Sequence, residues 1–237
     1  MGFMDKKRSG NFTLTVANLV LLAFLLFCIF AVMLFPPEVQ RTLYQIAMTG
    51  TLLSAFFCID KKYRKILRWL IVLDIISQWS YFATGNIILN GISKSLIILL
   101  YFIIVAILVK QAASSRRVTR IVILEAVNGY LMVGLFYSII IALIMLFNPD
   151  AYQFHSNIIR DTDLIVTNFN EYLYYGFNAF TTVTYGDVMP VSPLAKSVSM
   201  AIGFSGQMYM VLVIAMLIGK YGGGETPLRT SVKTQTT

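Results

Sequence analysis

Six apolar stretches, Leu14 to Phe35, Thr42 to Ile59, Ile66 to Gly85, Ser95 to Val109, Ile121 to Phe147 and Leu194 to Lys220, limit the folds open to this chain more than any other feature. A hydrocarbon core needs about 20 consecutive helical residues. Each stretch reaches that length or falls a little short of it, the fourth most of all. The expected fold class is therefore all-α, a six-span integral membrane protein. Composition points the same way, since 57% of the 237 residues are hydrophobic and 13% charged, too apolar a balance for a soluble domain. The formal net charge of +8 is then a matter of membrane topology, and nucleic acid is not an expected partner.

With the N-terminus taken as cytoplasmic, the inner side collects the bases of Lys6 to Arg8, Lys61 to Arg68, Lys110 to Arg120 and Lys220 to Lys233. The outer side holds only Arg41, Lys94, Arg160 and Lys196. That asymmetry predicts a multi-pass protein of the cell membrane with both termini cytoplasmic. Phe35-Pro36-Pro37-Glu38 offers no small-residue cleavage site after the first stretch, and Lys6 stands where N-myristoylation needs Ser or Thr, so neither processing is expected. Cys28 and Cys58 fall inside spans and read as small packing residues. With one histidine and no phosphate loop, zinc spacing or catalytic constellation in the sequence, the chain is not expected to be an enzyme or to take a cofactor other than permeant ions.

Between the last two stretches stands Thr181-Thr182-Val183-Thr184-Tyr185-Gly186-Asp187. It is led in by an aromatic run, Asn168 to Phe180, that reads as a short helix with Asn168 as cap and Glu171 three residues on. An ion leaves water only if something replaces its hydration shell. An extended Thr-Val-x-Tyr-Gly strand repeated around an axis does so with stacked rings of backbone carbonyls and one ring of threonine hydroxyls. The segment resembles the filter of the potassium-channel pore family, Thr-Val-Gly-Tyr-Gly-Asp. The resemblance runs on through Pro190, Pro193-Leu194-Ala195-Lys196 and Gly206-Gln207-Met208-Tyr209, covering roughly Glu125 to Tyr221.

The resemblance implies a potassium-selective channel subunit of the six-span, prokaryotic type, assembled as a homotetramer in contact with membrane lipid. It implies K+ sites at Thr182, Val183, Thr184 and Tyr185, with Gly186 completing the filter. Tyr174 and Tyr175 match the family's aromatic pair behind the filter, and Asn178 matches the position that reaches the aspartate after it, here Asp187. The last helix would line the inner cavity, with Gly203 and Gly206 either as gating hinges or as points of close helix packing. One position departs: Thr184 replaces a glycine held at positive φ, where an L-residue is strained by roughly 1–2 kcal/mol. Two alternatives follow, a weakly selective cation channel and a non-conducting regulatory subunit.

The expected organisation is an N-terminal four-helix membrane bundle over 1–110, a cytoplasmic linker over 111–120, a two-helix pore module with its re-entrant loop over 121–221, and a disordered tail over 222–237. The bundle occupies the place of a voltage sensor, and Phe57, Asp60 and Asp74 resemble sensor remnants. The fourth stretch, however, has no charge between Lys94 and Lys110, so gating should depend on voltage weakly or not at all. Asp74, with Ser77, Gln78 and Tyr81 on its stripe, is expected to pair with a base of the cytoplasmic loop, the alternative being a gating or ligand role. Glu125 and Asn128, at the cytoplasmic end of the fifth stretch, are expected to be satisfied by snorkelling or by a contact to Arg116, Arg117 or Arg120. His155, near Asp150, Asp161 and Asp163 in an outer turret, is either solvated or a pH-sensing group. Met208 to Ile214 should make the inner vestibule apolar.

Overall fold

Two prolines set the first break in the helical run. Helix α1 (Gly2–Leu26) continues through a π turn (Phe27–Ala31) and a 3-10 turn (Val32–Leu34) to Pro36, which is extended at φ −60 and ψ 146. Helix α2 (Pro37–Cys58) begins on a proline whose missing N–H belongs to the first turn, where no partner exists. Gln40 then donates from Nε2 to the Phe35 carbonyl at 2.7 Å, satisfying an end group of the preceding turn.

The computed structural model describes residues 2–59, 61–84, 87–114, 119–154 and 168–222. After α2 come α3 (Lys61–Thr84), α4 (Ile87–Ser114), α5 (Arg120–Phe147), β1 (Tyr152–Phe154), α6 (Phe169–Phe180), β2 (Val188–Pro190) and α7 (Pro193–Gly222). Side chains close several helix ends. The Arg64 guanidinium donates to the carbonyls of Phe57 and Ile59, both at 2.7 Å, at the end of α2. Thr119 accepts from the Val122 amide at the start of α5, and Ser192 accepts from the Ala195 amide at the start of α7.

Among the described residues, six helices have 22–30 residues, enough at about 1.5 Å per residue to cross about 30 Å. Two segments are also long and apolar enough on average to cross a membrane, Leu14–Leu34 and Arg120–Phe147, and Ser95–Gln111 is a shorter apolar segment. Polar residues interrupt the others: Gln40 and Gln45 in α2, Asp74 and Gln78 in α3, Ser205 and Gln207 in α7. The fourth expected segment, Ser95 to Val109, lies inside a helix of 28 residues, because the helix runs past the apolar stretch at both ends.

Helices α1, α4 and α6 all pack on α5, and α6 also packs on α7, so α5 is the central post of the fold. Its contact with α6 is close because each helix offers a small residue: Gly134 faces the Phe177 ring and Gly176 faces Ser138. Fully buried Leu21, Leu25, Leu52, Tyr101, Ile104, Leu135 and Tyr172 belong to one continuous apolar interior.

Two expectations need correction. The chain is not purely α, since β1 and β2 form an antiparallel pair, Tyr152 opposite Pro190 and Phe154 opposite Val188. Strands of three residues are too short to leave a periodic pattern in sequence. Asn128 does not turn to the cytoplasmic arginines. It is fully buried and donates from Nδ2 to the Asn18 carbonyl at 3.0 Å and to Asn18 Oδ1 at 3.1 Å, because α1 covers that face of α5. Besides these two, Asp74 is buried and accepts from Gln78 Nε2 one turn on, and Gln78 in turn accepts from half-buried Gln45, so a hydrogen-bonded chain lies between α2 and α3. The expectations for Asp60, Arg116, Arg117, His155, Asp161, Asp163 and the tail beyond Gly222 fall outside the described residues.

Candidate functional site

Helix α6 ends in the site. Its last turn offers carbonyls with no partner inside the helix, and the segment after it supplies the amides: Thr181 N–H donates to Phe177 at 2.8 Å, Thr182 to Ala179 at 3.1 Å, and Val183 and Thr184 both to Asn178 at 3.1 and 3.3 Å. All peptides are trans, and in a trans unit the C=O points opposite to the N–H of the following residue. The carbonyls of Thr181, Thr182 and Val183 therefore point away from α6, to the open side of the segment.

The backbone alternates in sign to achieve this. Thr182, Thr184 and Gly186 have φ of 60, 42 and 82. Alternation of right- and left-handed residues turns successive amides to one face, and the carbonyls accumulate on the other. Glycine takes such a φ freely, but for threonine it is a β-branched outlier, strained by about 1–2 kcal/mol. The expected left-handed conformation of Thr184 is present. That of Thr182 was not expected, since nothing in its residue type announces it.

Residues 181–187 are exposed within the single chain, Val183 at 53% and Tyr185 at 74%. Behind them a cavity of about 340 Å³ opens between the π turn of α1 (Ile29, Phe30), α6 (Phe177, Asn178) and the segment's Val183 and Tyr185.

The outer end of the segment is fixed differently from the sequence expectation. Asp187 Oδ2 accepts from the Tyr174 hydroxyl at 2.7 Å, not from Asn178. Asn178 is buried in the last turn of α6, where its backbone carbonyl receives the two amides, whereas Tyr174 starts one turn earlier with the longer side chain. The hydrogen bond to Asp187 is the main reason that the Tyr174 phenol holds its proton above the usual range. Tyr175 points elsewhere. It is buried, its hydroxyl donates to Ser199 Oγ of α7 at 2.7 Å, and its ring meets Tyr152 edge-on at 5.1 Å. Burial pushes the Tyr152 phenol up to about 12. Val188 follows Asp187 directly into β2, so the ribbon with β1 ties the outer end of the segment to the end of α5.

At the inner end, α7 meets both α5 and α6 within five residues. Ser205 Oγ lies 2.6 Å from the Tyr137 hydroxyl, and the Tyr209 hydroxyl donates to the Ala126 carbonyl at 2.7 Å. A Cβ on Gly206 would run into the Phe180 carbonyl oxygen, whereas one on Gly203 would meet only Ala179 O at an ordinary 3.6 Å. Gly206 thus permits close packing against the end of α6. Gln207 donates from Nε2 to Thr182 Oγ1 at 3.0 Å. Sequence reasoning missed this contact, although Gln207 is an amide in an otherwise apolar run. Beyond it Met208, Met210, Val211 and Leu212 are exposed.

A family model described as "Ion channel" matches residues 141–221, about a third of the chain. The match takes in the last quarter of α5, the α6 helix with the segment after it, and α7 up to Tyr221. Among curated proteins and among solved structures, nothing matches. The match supports an ion channel, and the apolar helices fit a membrane setting.

Proposed function

We propose that this chain is one subunit of a homotetrameric, potassium-selective channel of the cell membrane, with six spans, both termini in the cytoplasm, and gating that depends weakly or not at all on voltage. One observation carries the reading: the amides of the segment after α6 are turned back onto the last carbonyls of that helix, so its own carbonyls line up on the exposed side. A single such strip touches one flank of an ion. Four copies around an axis replace a hydration shell, which is why the site needs assembly.

In this reading K+ enters from the inner vestibule lined by α7, loses water, and passes the Thr182 hydroxyl and the carbonyls of Thr182, Val183, Thr184 and Tyr185 in turn. Carbonyl dipoles exclude anions, and the number and field of the carbonyls favour K+ over Na+. The C-terminal end of α6 turns its negative dipole end toward the approaching cation. Tyr174 on Asp187 holds the outer mouth in shape, and Tyr175 anchors α6 to α7. The four N-terminal helices carry the pore module in lipid, and α4 has no charge between Lys94 and Lys110 for a voltage to move.

Purified protein in liposomes with a potassium gradient tests the proposal. Flux of K+ well above that of Na+ is the expected result. Equal flux of both ions points to the weakly selective cation channel, and absence of flux to the non-conducting regulatory subunit.

A further inference from the structure

The geometry points to Gln207 as the residue that sets the innermost cation ligand, by holding the Thr182 hydroxyl with one lone pair free toward the pore. This rests on the channel reading above and adds a positioning residue to it.

A threonine hydroxyl has one proton and two acceptor sites. The Thr182 hydroxyl donates its proton to the Thr181 carbonyl at 2.7 Å, so its contact with the Gln207 amide at 3.0 Å must be an N–H received. One lone pair remains. Because the Thr181 carbonyl points to the open side of the segment, the hydroxyl bonded to it lies on that side as well, where the cation would sit. Without Gln207 the hydroxyl keeps only a bond to its neighbour, on a backbone already strained at φ 60.

The reach of Gln207 is itself fixed. The turn of α7 that carries it is held to α5 at Ser205 and Tyr209, and Gly206 brings the backbone against the Phe180 carbonyl. Movement of α7 along or away from α6 would withdraw the amide from Thr182. Gln207 therefore makes the innermost ligand ring depend on the position of α7, and Gly206 serves as the close contact that keeps the two in register.

The test is inhibition of potassium flux by Ba2+, a divalent ion of nearly the size of K+, in proteoliposomes of the full chain. Gln207→Met, which keeps length without an N–H, should raise the Ba2+ concentration for half inhibition by about tenfold, the scale of one net hydrogen bond. Thr182→Val should do the same, and the double variant should lose no more than either alone. Thr182→Ser, which keeps the hydroxyl, should stay within about twofold of the unmodified protein, on the same hydrogen-bond scale. Unchanged inhibition in Gln207→Met, or additive losses in the double variant, overturns the inference while leaving the channel intact. Should Gln207→Met fail to assemble by size exclusion, Gln207→Leu gives the same readout, and failure of both assigns Gln207 to assembly and also overturns it. Absence of flux from the unmodified protein instead overturns the channel reading itself.

Discussion

Replacing Thr184 with glycine should stabilise the protein, most of all when potassium is scarce. The residue sits at φ 42 and its side chain is exposed in the chain. Its one backbone bond, N–H to Asn178 O at 3.3 Å, does not involve the side chain and survives the change. Relief of the left-handed conformation is worth about 1–2 kcal/mol, and the extra freedom of an unfolded glycine takes back roughly 0.5–1 kcal/mol. About 0.5–1 kcal/mol per chain remains, or about 2–4 kcal/mol over four copies. For a chain of this length that is a rise of about 1–4 °C in Tm. Thermal unfolding of detergent-purified protein in sodium and in potassium buffers measures it. The rise should be larger in sodium, because ions bound only to the folded filter already stabilise it in potassium. Thr182→Gly is the control: it relieves a similar strain at φ 60 but also deletes the hydroxyl held by Gln207, and should gain less. A Tm lowered by Thr184→Gly in both buffers would refute the argument that this position is strained.

Tyr174→Phe and Asp187→Asn should each alter conductance or its decay several-fold, and non-additively, since the two side chains meet at 2.7 Å; single-channel recording of the variants decides. Gly206→Ala should destabilise by about 1–3 kcal/mol or prevent assembly, because its methyl meets the Phe180 carbonyl, whereas Gly203→Ala should assemble normally, as size exclusion and thermal melts can tell. Open probability measured against voltage should be nearly flat, because α4 between Lys94 and Lys110 carries no charged residue; a steep curve amounting to several elementary charges would overturn this.

Sequence alone determined what depends on local chemistry. The apolar stretches announced long helices, and the aromatic run before Thr181 marked a short helix ahead of the filter-like segment. Even the left-handed backbone of Thr184 was legible, because a motif that demands glycine imposes its conformation on whatever replaces it. Tertiary structure decided which side chains meet. Asn178 and Tyr174 are both polar, both on α6 and a turn apart, and only the path of the segment assigns Asp187 to the tyrosine. The burial of Asn128 against Asn18 spans 110 residues of sequence, and the contact of Gln207 with Thr182 spans 25. Neither leaves a local signal, because periodicity reports which face of a helix is apolar and says nothing of which helix covers it. The ribbon of Tyr152–Phe154 with Val188–Pro190 was hidden for a related reason: each strand is too short to show a period, and its partner lies across the whole pore loop.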